Sequence, residues 1–265
     1  MDEKQTGLWS DEGEQRRHDH SGVEVERSAS PSGQGNQRQP IVNLPSPLVI
    51  CLILLIALFV IPNSVMSDEM RAYFLFELAF TPLRYVYPLA DQGLEWLWTP
   101  VTYSLLHGSV EHLLFNGLWL AAFGAPVYRR IGFARFVVFW ASSAAASAFF
   151  HAWLNWGQET VLIGASGVIS ALMGAACRFA FPAQGIRFGR VPAHLLPRQS
   201  ITGAMRNRTV FIFTLIWFLG NVAIAIGLPV LGAEDAAVAW DAHIGGFLFG
   251  YLLFALFDPQ SSPKN

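Results

Sequence analysis

Six apolar runs, at residues 47–61, 111–128, 133–154, 166–181, 209–228 and 239–257, decide what this chain can become. Inside a hydrocarbon layer no water satisfies a free backbone N–H or C=O, so a run that enters the layer must hydrogen-bond within itself as a helix. Each run is near the lower limit of the ~17–25 residues needed to cross a bilayer, and several fall a little short. Short spans are accommodated where lipid thins around protein. The expected fold is an all-α membrane protein, a bundle of six transmembrane helices. With 53% hydrophobic and 14% charged residues, the chain lies outside the range of soluble domains. A net charge of −2 offers nothing to nucleic acid. Cys51 and Cys177 fall inside apolar stretches and read as packing residues, not as a disulfide framework or zinc site.

Residues 1–46 are polar and hold no apolar run, so they are expected to be a disordered cytoplasmic tail. Their acidic residues argue against a mitochondrial presequence, and the missing apolar stretch near Met1 argues against a cleaved signal peptide. Residues 47–257 form the membrane domain, followed by a short cytoplasmic tail at 258–265. Ser46-Pro47 reads as a cap and first turn of span one, with Pro62-Asn63 and Phe181-Pro182 as helix stops. If the N-tail is cytoplasmic, fifteen of the seventeen Lys and Arg residues lie inside, leaving Arg71 and Arg84 outside. The positive-inside rule then puts both termini in the cytoplasm. The segment between spans one and two, about 62–110, is too apolar for a solvated loop, and Glu77, Arg84 and Asp91 keep it from being a span. It reads as short helices lying partly in the outer leaflet, with Trp96 and Trp98 as interfacial anchors.

In that topology spans two, four and six begin at the same outer depth, and each begins with polar residues. His112 and Asn116 lie in the first turns of span two, Ser166 starts span four, and His243 lies about one turn into span six. A serine hydroxyl needs an adjacent base to become a nucleophile, and a histidine inside a membrane normally has a functional partner. Gly164 and Gly167 flank Ser166 at a helix start, where unpaired backbone N–H groups can hold an oxyanion. His112 and Asn116 are one turn apart and face the same way, adding side-chain donors. Below Ser166 runs a face of Gly167, Ser170, Ala171, Gly174 and Ala175; below His243 run Gly246 and Gly250. Small residues at this spacing let membrane helices touch backbone to backbone; packing these two faces together brings His243 level with Ser166. Asp241, two residues before His243, points to the other side of the helix and reads as a helix-start acid.

Three motifs carry a resemblance: His112-Leu113-Leu114-Phe115-Asn116, Gly164-Ala165-Ser166-Gly167 and Ala242-His243-Ile244-Gly245-Gly246. In order and in span they are similar to the signatures of rhomboid intramembrane serine proteases, over about residues 47–257. The resemblance implies a bacterial-type six-helix rhomboid bundle with a membrane-lying loop between spans one and two. It implies a Ser166–His243 dyad without an acid, and an oxyanion site including His112, Asn116 and Ser166. It also implies cleavage of single-span membrane proteins near the outer face of the bacterial inner membrane, with no metal or cofactor. Leu105-Leu106-His107-Gly108-Ser109 resembles the family's loop-to-helix junction, where His107 helps hold the loop. Two positions depart from common family residues. Many relatives carry Trp-Arg where this chain has Trp98-Thr99, and some carry a tyrosine stacked on the catalytic histidine where this chain has Ser170. His243 must then be oriented by something else.

The remaining polar residues have modest readings. His151 is a packing or hydrogen-bonding residue late in span three, His18, His20 and His194 are solvated, and Asn221 and Trp217 serve packing in span five. Other protease classes fit less well. There is no His-Glu-x-x-His for zinc, and no span carries an aspartate in its middle. A transporter is expected to show intramembrane charges or broken helices in paired halves. The alternative that survives is a rhomboid-like protein that binds membrane clients without cutting them; such proteins typically lose the serine or the histidine, and both are present here.

Overall fold

A computed structural model describes residues 44–182, 191–228 and 238–259. Most of the expected N-terminal tail, including His18 and His20, lies outside the described residues, as do 260–265 of the C-terminal one.

The described residues are helical, with one isolated β-bridge. Helix α1 (Ser46–Val65) begins one residue before the expected start, so Ser46 is its first residue, not its cap. It also runs through Pro62, which was expected to stop it, and Asn63 Nδ2 adds a bond to the Phe59 carbonyl. Pro62 forfeits the i−4 bond its own N–H would make, but the turn after it still closes, the Met66 N–H donating to the Pro62 carbonyl at 3.3 Å. The connecting segment folds as α2 (Asp68–Leu78), two short 3₁₀ turns and α3 (Glu95–Thr102), the short helices expected from its composition. Trp98 has a more specific job than anchoring to an interface: its Nε1 donates to the Glu77 carbonyl at 2.7 Å, tying α3 to α2.

Ser109 caps α4 (Val110–Trp119), accepting from the His112 backbone N–H at 3.1 Å. A π-helical turn over Leu120–Gly124 leads directly into α5 (Ala125–Leu154). The second and third apolar runs are separated by a sharp break at Gly132, whose φ of 76° no helix contains. Helix α6 (Ser166–Cys177) follows, then α7 (Ile201–Arg206), α8 (Arg208–Ala225) and α9 (Trp240–Leu253).

α6 has 12 residues, about 18 Å at 1.5 Å per residue, well under the ~30 Å of a hydrocarbon core. Its shortness is tolerable because it is the centre of the molecule: every residue from Gly167 to Cys177 is buried, and Ser166 alone is partly open. α5 and α9 wrap it, α5 presenting the small buried residues Ser143, Ala144, Ser147, Ala148 and Ala152. α1 and α8 lie outermost and expose large apolar side chains, among them Ile50, Ile53, Ile216 and Leu219. Apolar residues outside and small or polar ones inside suit a lipid solvent.

Candidate active site

The backbone leading to Ser166 is held before the helix begins. Phe80 and Leu162 exchange backbone hydrogen bonds of 3.2 and 2.8 Å, and the Gly164 N–H donates to the Tyr103 carbonyl at 3.0 Å. The Tyr103 side chain is fully buried and its hydroxyl donates to the Ala144 carbonyl on α5. Gly164 itself sits at φ 116°, a conformation that side-chain-bearing residues rarely adopt. It also has no room for one, since a β-carbon there would stand 2.6 Å from Cε1 and Nε2 of His112 and 3.6 Å from Asn116 Nδ2. The chain just before Ser166 therefore lies directly against the two α4 side chains.

α9 reaches the same place by backbone contact. A β-carbon on Gly246 would strike the Gly167 carbonyl, one on Gly250 the Ala171 carbonyl, and one on Gly174 the Phe247 carbonyl. The first two pairs advance together by four residues, so α6 and α9 run parallel. His243 lies one turn back from Gly246 on α9, towards the N-terminal end of α6 where Ser166 stands. Among the described residues the Ser166 hydroxyl makes no hydrogen bond, so the Ser–His bond is open here; such bonds often close only with substrate. Ser170 turns its hydroxyl to the Ser166 carbonyl, away from the histidine.

Each α4 side chain and the histidine has a partner behind it. Asn116 Nδ2 lies 3.0 Å from His107 Nε2. An amide nitrogen only donates, so His107 accepts at Nε2, and the second Asn116 N–H remains for the Gly164 side. His107 is buried just before α4, its ring 5.0 Å from that of His112. Burial, with the field of His112, pushes its imidazole down to about 3, so it stays the neutral acceptor that Asn116 needs. His243 Nδ1 lies 2.9 Å from Asn221 Oδ1 on α8. Asp241 does not touch His243. It is buried against His151 Nδ1 at 2.8 Å and Asn155, and also accepts from the Ala242 N–H. The helix-start reading of Asp241 therefore describes only part of its role, and His151 is the hydrogen-bonding residue expected.

A rhomboid domain model matches residues 95–259, more than half of the chain. The chain belongs to the rhomboid family. It is an integral membrane protein of the all-α rhomboid fold. It is similar to the rhomboid protease GlpG of Serratia proteamaculans, 28% identical over 170 residues, covering 64% of this chain and 51% of that protein. The GlpG proteins of Pectobacterium atrosepticum and Yersinia pseudotuberculosis are 30% and 27% identical over 173 residues, covering 65% and 64% of this chain and 52% and 51% of theirs. The chain thus spans about half the length of the curated relatives it matches.

Against the rhomboid pattern, Thr99 is fully buried, and the guanidinium that faces it comes from Arg84. Arg84 donates to the Phe76 carbonyl at 2.8 Å and lies over the Phe76 ring, so it is a buried strut of the segment between α1 and α4. Sequence reasoning counted it only as an outside charge. It also missed Tyr103, whose carbonyl fixes Gly164, and read Asn221 as packing. Trp217 does pack, stacked on Phe247 at 4.6 Å, but Asn221 is bonded to the histidine. His194 is half-buried and not fully solvated, its carbonyl accepting from Arg130.

Proposed function

We propose that this chain is an intramembrane serine endopeptidase using a Ser166–His243 dyad. The observation that carries the reading is the convergence on one short backbone stretch, Gly164 to Gly167, of His112 and Asn116 from α4 and of the α9 turn that bears His243. In the reaction, Ser166 Oγ attacks the scissile carbonyl while His243 Nε2 takes its proton. The carbonyl oxygen, now negative, lies among the Asn116 amide N–H, the His112 ring and the free N–H groups at the start of α6. His243 then gives its proton to the leaving amine, and a water deprotonated by the same nitrogen releases the acyl group from Ser166. The relatives named above are rhomboid proteases, which supports the same reaction class.

The substrates we propose are single-span membrane proteins, cut near the outer end of the span beside a small residue. Backbone carbonyls in a helix are already hydrogen-bonded, so the segment must open before Ser166 can attack. Gly and Pro weaken a helix by roughly 1 and 3 kcal/mol relative to Ala, and such residues just past the cut favour opening. The distribution of arginines supports cytoplasmic termini, and the bacterial sources of the relatives named above support a bacterial inner membrane. The test is reconstitution of the full chain in liposomes with a tagged single-span substrate, the product sized by mass spectrometry. The reading expects one cut in the outer third of the span, absent with Ser166→Ala. No cut, a cut at the cytoplasmic end, or an equal cut by Ser166→Ala overturns it; the last two outcomes point to another site, and the first to a client-binding protein.

A further inference from the structure

We infer that Asn221 is the positioning residue that makes His243 a base, completing a Ser166–His243–Asn221 relay in which the third member is neutral and comes from α8. The inference rests on the dyad proposed above. Its core is a forced assignment of protons. Asn221 Nδ2 lies 2.9 Å from the Trp217 carbonyl. A carbonyl can only accept, so the amide nitrogen is there and the amide oxygen faces the other way. That oxygen is 2.9 Å from His243 Nδ1. An amide oxygen can only accept, so Nδ1 must carry the proton. In the neutral ring Nε2 is then the bare nitrogen, the form a general base for Ser166 needs.

The geometry around the pair holds it in place. Trp217 and Asn221 are one turn apart on α8, and His243 and Phe247 are one turn apart on α9. Trp217 stacks on Phe247 with centroids 4.6 Å apart, and Asn221 bonds His243, so the two helices are cross-linked by successive rungs. Asn221 is buried although α8 is otherwise largely outward-facing and apolar. Among the described residues no other partner hydrogen-bonds the ring: Asp241 is committed to His151 and Asn155, and Ser170 to its own helix. The ionisable groups whose fields reach His243 are His112 on α4 and Asp241 on its own helix, the latter paired with His151 of α5.

The experiment uses the full chain in detergent with a single-span substrate, comparing Asn221→Ala and Asn221→Asp with wild type, and with Ser166→Ala and His243→Ala as references. A histidine held in the wrong tautomer can cost up to ~10⁴ in kcat; for loss of a neutral partner we expect a fall of roughly 10- to 100-fold for Asn221→Ala, with KM within about twofold of wild type. Asn221→Asp keeps an acceptor, so it recovers most of the lost kcat. Its negative charge favours the imidazolium, so the acidic limb of its pH–rate profile moves to higher pH. A kcat for Asn221→Ala within about twofold of wild type, or an Asn221→Asp no better than Asn221→Ala with an unmoved limb, overturns the inference and leaves the dyad standing. Turnover that survives Ser166→Ala or His243→Ala takes down the dyad and this role with it. Should the variants not fold, ¹⁵N spectra of the histidine-labelled wild type decide, the His243 signal being assigned by its loss in His243→Ala. A proton on Nδ1 is the expected result, and a proton on Nε2 contradicts it.

Discussion

Asn116 faces the candidate oxyanion site, but its direction is set by His107, which accepts one of its two N–H groups. That arrangement has a consequence for stability. The His107 imidazole is held at about 3, whereas in the unfolded chain it titrates near ~6.5. Below that value the unfolded state takes up a proton that the folded state refuses, so stability is lost as pH falls from ~6.5 towards 3, at roughly 1.4 kcal/mol per pH unit. His107→Gln keeps an acceptor and removes the titration. Thermal unfolding in detergent at about pH 7 and about pH 4.5 is expected to show a smaller acid-induced drop in Tm for the variant than for wild type; equal drops contradict the assignment. At this scale the sequence singles out the candidate site residues, because Ser166, His243, His112 and Asn116 sit in short motifs with polar groups where lipid disfavours them. It did not reveal the groups behind them. His107 and Asn116 are joined across a helix start, and Asn221 and His243 across two separate helices, and no local spacing encodes either pair.

The helices are legible as apolar runs, and the packing of two of them as stripes of small residues. Gly246 and Gly250 have no space for a β-carbon, each standing against a carbonyl of α6. Gly250→Ala is accordingly expected to push α9 off α6 and to cost roughly 1–3 kcal/mol or more, lowering both Tm in detergent and turnover without altering a reacting group. Wild-type values for both contradict the contact. Gly220 and Gly132, with nothing within 4 Å, are the controls for crowding, although the positive φ of Gly132 makes only Gly220 a fair alanine site. What the runs concealed is where helices end. Periodicity does not register a proline tolerated in a last turn, as at Pro62, or a π-turn inside one run, as at Leu120–Gly124.

Across the whole molecule, the arginines first read as topology signals hold together the segments around the C-terminal end of α6. Arg130 forms two bonds to Asp258, 3.0 and 2.9 Å long, and Arg198 adds a third at 2.9 Å. Arg130 also donates to the Leu196 carbonyl and lies over the Phe179 ring, and Arg178 reaches the carbonyls of Gln199 and Tyr251. Asp258, expected in a free tail, is buried with Arg130, so the membrane domain extends at least that far. Removing one partner of a buried pair leaves the other charge uncompensated, and Asp258→Ala is expected to destabilise by about 3–5 kcal/mol. A Tm in detergent unchanged from wild type contradicts that role. Charge counting sees only sign and side, which is why this network was invisible in the sequence. The account as a whole stands on Ser166 and His243 acting as one unit. The most direct measurement is turnover of a single-span substrate in liposomes by Ser166→Ala, His243→Ala and the double variant. If the two residues form a dyad, each single change abolishes cleavage and the double variant is no worse than either. Substantial product from either single variant, or losses that add in the double, contradicts it.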